Sequence, residues 1–287
     1  MFPYKRTYAR HWKYRNVNII EPAIKKYFIY RYMPLSIFRK CVKSGEFRFK
    51  EPSEWPDRFE SRFYTAEYTN PAKRMIKPQH VFAFCTTQER DCDPSWSQYA
   101  SGEPTIQIKI NRQKWLNALN AWAQTNHSTI YEGVVNYDLN EYHISILHNS
   151  IHKLCNGTVK PVAGHQQIFG VFDLHSYFSL LLFKRKAYKY EQEVRYFVVP
   201  RINSQQKRYI DIKVFDFELI EEIRYSRAIS KIHLYMLVCL MKKKGIGVNI
   251  NFKTGGNINV KGKEIPIRPF DINEGTYADH DHHIVIN

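Results

Sequence analysis

The stretch Phe183-Lys-Arg-Lys-Ala-Tyr-Lys-Tyr-Glu-Gln-Glu-Val-Arg-Tyr-Phe-Val-Val-Pro200 brings two carboxylates to the start of a β-rich run. Val194-Arg-Tyr-Phe-Val-Val199 has strand composition, and Pro200, which lacks an N–H, ends the pairing. Side chains on a strand alternate, so Glu191 and Glu193 share one face while Gln192 and Val194 share the other. Like charges at that spacing resist joint burial. Either one pKa rises or a cation is drawn in, and Lys184, Arg185, Lys186, Lys189 and Arg195 are at hand to supply it. Two readings follow: an edge strand with solvated charges, or a pair of carboxylates held for chemistry.

Working outward, residues 165–184 form a mostly apolar helix leading into this strand. Beyond it come strands at 208–214 and 219–225, a long helix at 230–243 and a strand at 247–251. Upstream, Phe28–Met33 reads as a strand, and Pro34 opens a helix that ends at Gly45. Glu46–Lys50 alternates as a second strand. The acidic segment Glu51–Glu60 has the chemistry of an ordered loop. Val81–Cys85, Thr105–Ile110 and Thr129–Val135 are further strands. Helices run from Asn111 through Trp122 and over 140–154, and Trp96 and Tyr99 have the spacing of one helical face, for which core packing is the plainer reading. Strands and helices interleave irregularly, which favours α+β, with helices flanking a split, mixed or antiparallel sheet. No Gly/Ser- or Pro-rich linker divides residues 28–270, so one domain is expected there, between a basic aromatic arm at 1–27 and a polar tail at 271–287.

The chain has 287 residues, 44% of them hydrophobic, enough for a packed core. Its formal charge is +16 with 15% aromatic residues, a balance suited to phosphates and stacked bases. Lys5, Arg6, Arg10, Lys13 and Arg15 alternate with aromatic side chains in the arm, and Lys186 and Arg195 flank the glutamates. These are the candidate nucleic-acid contacts; the plainer reading is a basic surface that serves solubility. No apolar run is long enough to span a membrane, and the N-terminus has no secretory h-region, so a cytoplasmic protein is expected. The five cysteines show no disulfide or zinc spacing. His143, His148 and His152 lack an acidic partner at metal-helix spacing, and Asp279-His-Asp-His-His283 stands alone, so no metal site is expected.

Several landmarks together resemble the bacterial domain-of-unknown-function 2971 family: Ile29-Tyr-Arg-Tyr32, Phe47–Glu60, Val81–Cys85, Trp96-Ser-Gln-Tyr99 and Lys186–Arg195. The chain has Pro56-Asp57-Arg58 where the family usually has Asn-Asp-Pro, and Val194 where Trp is common. A more distant resemblance is to the ADP-ribosyltransferases, whose layout is an Arg or His on the first strand, a central Ser or Tyr element and a late Glu-x-Glu. That resemblance implies an NAD-consuming enzyme, with NAD as substrate, acting on a nucleic-acid or protein acceptor as a toxin or defence effector. Arg31, with Tyr30, would hold the dinucleotide. Tyr99, with Trp96 and Ser95, would flank the nicotinamide. Glu193 would stabilise the cationic sugar, and Glu191 would orient or deprotonate the acceptor. Two other classes remain open: a nucleic-acid-binding module without catalysis, and a metal-dependent nuclease using Asp57, Glu60, Glu191 and Glu193.

Overall fold

The structure, a computed structural model, describes residues 12–14, 17–20, 26–57, 60–61, 64, 80–90, 93–98, 103–137, 174–200, 208–226, 229–251 and 255–270. In chain order the elements are β1 (Trp12–Tyr14), β2 (Val17–Ile20), β3 (Phe28–Pro34), α1 (Leu35–Ser44), β4 (Phe47–Lys50), β5 (Phe82–Thr87), α2 (Asp93–Gln98), β6 (Thr105–Asn111) and α3 (Arg112–Thr125). They continue with β7 (Thr129–Val134), α4 (Leu174–Leu180), β8 (Glu193–Val199), β9 (Tyr209–Ile212), β10 (Ile220–Tyr225), α5 (Lys231–Lys243), β11 (Gly247–Asn251), β12 (Gly255–Val260) and β13 (Lys263–Pro269). The mixed pairing with a few helices makes the fold α+β, as expected. Two compact units are woven from discontinuous segments. One comprises Met1–Lys26, Phe47–Thr87 and Leu116–Val214; the other comprises Tyr27–Glu46, Gln88–Trp115 and Phe215–Asn287.

In the first unit the strands run in the order β1, β2, β7, β8, β5, with β4 touching β5 and β9 beside β4. β2 lies parallel to β7, and β8 is antiparallel to both β7 and β5. β8 is therefore a central strand, buried from Glu193 to Val198, and not the solvated edge that its charges allowed. Aromatic side chains join this sheet to α4: Phe178 lies 4.1 Å from Tyr131 and 5.1 Å from Phe197, ring to ring. The stretch expected to be an arm contributes β1 and β2, whose Val17 and Ile20 are buried. Of the helix expected at 165–184, residues 165–173 lie outside the described residues, 174–180 form α4, and 181–184 leave the helix in a turn and a short bridge at Phe183. The helix expected at 140–154, with its three histidines, and the terminal His tract lie outside the described residues.

In the second unit the order is β3, β6, β10, β13, β12, β11. β3 and β6 pair antiparallel along their full length, from Phe28 opposite Asn111 to Pro34 opposite Thr105. α1 follows Pro34, buries Leu35, Phe38, Cys41 and Val42, and stops at Gly45, whose φ of 74° closes the helix through an N–H bond to the Cys41 carbonyl. β10 joins β13 in parallel. Ser230 caps α5 by accepting a hydrogen bond from the His233 N–H. Among the described residues no helix is long and apolar enough to cross a membrane.

Candidate functional site

Glu191 and Glu193 do meet, though not by strand alternation. Lys186–Glu191 is a 3-10 helix that ends on Glu191; Gln192 then takes a left-handed conformation (φ 40°, ψ 51°), and β8 begins at Glu193. A left-handed non-glycine residue costs roughly 1 kcal/mol, so the surrounding contacts must fix the turn. They do so from both sides. The Thr87 hydroxyl donates to the Glu191 carbonyl, the Val135 N–H donates to the Glu193 carbonyl, and the Glu193 N–H donates to the Tyr137 hydroxyl.

Lys184 is delivered by a short parallel bridge. The Asn136 N–H donates to the Leu182 carbonyl at 2.7 Å and the Lys184 N–H to the Asn136 carbonyl at 3.1 Å. Gly133 permits this approach, since a Cβ there would lie 2.2 Å from a Leu182 methyl. The Lys184 ammonium then sits 2.6 Å from Glu191 Oε2, 3.2 Å from Glu193 Oε2 and 3.4 Å from Glu60 Oε1. Arg195, on the same strand as Glu193, completes the cluster. Its Nε and Nη2 donate to both oxygens of Glu193 at 3.1 and 2.9 Å, Nη2 also reaches Glu60, and Nη1 donates to the Leu181 carbonyl. The Trp55 ring lies 4.1 Å from the guanidinium carbon.

Three carboxylates thus share two cations in a nearly dry place, with Glu191 2% and Arg195 1% exposed. The titration directions follow. Burial would raise Glu193, but the charges of Arg195 and Lys184 outweigh it and hold its carboxyl well below the usual range. Burial pushes Glu191 up, the charge on Glu193 pushes it further, and Lys184 only partly offsets them. Burial also raises Glu60 against the pull of Arg195. Desolvation would lower Lys184, but Glu193 and Glu60 overcome it and keep the ammonium charged. Every oxygen of Glu60 and Glu193 has a cationic partner, whereas Glu191 Oε1 is buried and, among the described residues, without a hydrogen bond.

Lys184 and Arg195 are two of the five cations that the sequence offers to compensate the pair. A third, Arg185, instead pairs with Asp57 at 3.0 Å. Arg195 is corrected as a nucleic-acid contact, because its donors are engaged inside the cluster. The parts that Glu60 and Tyr137 play here escape a sequence reading, since nothing in one sequence marks which side chain of an acidic loop turns inward. Of the carboxylates that a metal-dependent nuclease would use, Asp57 and Glu60 face Arg185, Lys184 and Arg195, and among the described residues no group of three or more His, Cys, Asp or Glu is placed to hold a metal.

The expected dinucleotide residues belong to the second unit. Tyr30 is buried and Arg31 half-buried on β3, paired with Lys109 and Ile108. Ser95 and Trp96 are buried on α2. Trp96 is corrected as an open stacking platform: it lies 4.5 Å from Phe270 in a stacked arrangement and edge-on to Tyr32 at 5.1 Å, so it packs as core. Tyr99 lies outside the described residues, as do Lys5, Arg6, Arg10 and Arg15, while Lys13 lies on β1. Lys186 is exposed.

The model of the family described as "Protein of unknown function (DUF2971)" matches residues 95–196, which include β6, β7 and the charge cluster apart from Glu60. No curated protein matches the sequence. Among solved structures, the chain is similar to Thermus sp. 2.9 DarT in complex with NAD+ (10% identity, TM-score 0.33, 88% of this chain and 99% of that one). It is also similar to the same protein in complex with ADP-ribosylated ssDNA (10% identity, TM-score 0.31, 77% and 90%).

Proposed function

We propose that this chain consumes NAD as an ADP-ribosyltransferase acting on a nucleic acid, with Glu191 as the carboxylate that works on substrate. The observation that carries the reading is the unpartnered Oε1 of Glu191. Leaving a buried carboxylate oxygen unbonded costs on the order of 1–3 kcal/mol or more, and such groups concentrate where a substrate supplies the missing partner. Glu193 and Arg195 lock the cluster, and Lys184 fixes the other Glu191 oxygen, so the free oxygen has a set direction.

The step balances simply. The C–N bond between nicotinamide and ribose breaks with its electron pair leaving on nicotinamide. The acceptor heteroatom bonds the ribose carbon, and its proton passes to Glu191, whose raised affinity for a proton suits a base. Glu193 becomes a positioning residue in this reading, because its oxygens are already taken. NAD enters as substrate through the resemblance in layout. The acceptor class is supported by the +16 charge and by the 3-10 helix ending on Glu191, which presents Lys186, Lys189 and Tyr190 to solvent.

The test is incubation of the purified chain with adenylate-labelled NAD and separate pools of single-stranded DNA, RNA and protein, with and without EDTA. Label should move to a nucleic-acid pool with release of nicotinamide, unaffected by EDTA. A folded protein that neither binds NAD nor releases nicotinamide overturns the reading.

A further inference from the structure

Helix α5, in the second unit, is apolar on two faces. Leu234, Leu237 and Met241 are buried beneath it. On the outer side Ile232 is 71%, Tyr235 62% and Met236 42% exposed, with Cys239 half-buried one turn on. Positions 232, 235, 236 and 239 fall at i, i+3, i+4 and i+7, which is one continuous stripe. The helix carries no Asp or Glu, and none occurs in the sequence between Glu222 and Glu264. Exposed Lys231 lies at one end of the stripe, and exposed Lys242, Lys243 and Lys244 at the other.

We infer that this stripe docks an amphipathic helix of a protein partner, one with an apolar seam flanked by carboxylates. The charge decides against a second copy of this chain, because the lysines at the ends of one stripe would meet those at the ends of the other. A nucleic acid would find one ring and no arginine in an otherwise aliphatic stripe, a poor stacking platform. A lipid surface calls for a wide apolar face, but Leu234, Leu237 and Met241 of α5 are already committed to its own core. A narrow seam at helical spacing with lysines at both ends is the complement of an acidic helix that lies along it.

The probe is a synthetic, fluorescent helix of about three heptads, with Leu at a and d and Glu at the flanking e and g positions. Fluorescence anisotropy would follow its binding to the full chain. Both Ile232→Asp with Met236→Asp and Lys242→Glu with Lys243→Glu should weaken binding about tenfold or more, with circular dichroism unchanged. The Asp pair should leave binding of single-stranded DNA and of phosphatidylserine vesicles unaltered. The proposal is overturned if the peptide does not bind the wild type or binds the Asp pair as tightly. It is also overturned if the Asp pair abolishes vesicle binding, or dissolves a dimer seen by sedimentation.

Discussion

Strands β8 and β10 each carry a buried Glu-x-Arg, Glu193-Val-Arg195 in the first unit and Glu222-Ile-Arg224 in the second. The company they keep differs. Glu222 takes the half-exposed Arg90 at 3.3 Å, and Arg224 lies over the Phe270 ring at 5.1 Å. Around β8 the excess is negative: Glu60, Glu191 and Glu193 share Lys184 and Arg195. The same spacing therefore says little about chemistry. Among the described residues, what distinguishes β8 is one carboxylate more than its cations, and the surplus falls on Glu191, the group whose second oxygen has no hydrogen bond there.

The largest effect expected from breaking this comparison is at Arg195. Arg195→Leu leaves Glu60, Glu191 and Glu193 buried with Lys184 alone to offset them, and urea unfolding should show a loss of about 3–5 kcal/mol. The matching change at the other strand is smaller. Arg90→Ala removes a side chain a third exposed, whose contacts to Glu222 are long at 3.3 and 3.4 Å, so the loss should be about 1 kcal/mol or less. Equal losses at the two sites would mean that the β8 cluster is an ordinary ion pair.

The two glutamates should also differ in sign. The folded pKa of Glu193 lies below its ordinary value of 4.5, so its contribution is complete above that pH and drains away as the pH falls through the depressed value. The pKa of Glu191 is raised above 4.5, so its neutral form favours the fold at low pH and that benefit is lost as the pH rises through the raised value. At pH 7 Glu193→Gln should therefore lower the melting temperature, whereas Glu191→Gln, which leaves two carboxylates with two cations, should hold or raise it. A drop for both variants would show that Glu191 is structural.

Much of the scaffold is legible in the sequence. Alternation in Phe47-Arg-Phe-Lys50 and the Pro34 and Gly45 boundaries of α1 come straight from backbone chemistry, and both elements form as read. The hairpin of β12 and β13 escapes that reading, because Pro266 and Pro269 argue against a strand. Its signal is the two-residue turn Lys261-Gly262, with φ of 51° and 86°, that joins the two strands. The site is half legible. Paired glutamates amid cations are plain from composition, but strand periodicity cannot show that Gln192 turns left-handed, nor that Lys184 rather than Lys186 faces inward. Those are set by Gly133, Asn136 and Thr87, which are distant in sequence.

The most direct test of Glu191 as the working carboxylate is nicotinamide release from NAD by the Glu191→Gln variant, measured on protein whose melting temperature matches or exceeds the wild type. Turnover should fall roughly a hundredfold or more, the scale on which a positioned general base contributes. Release at the wild-type rate from a stably folded Glu191→Gln variant would contradict that role.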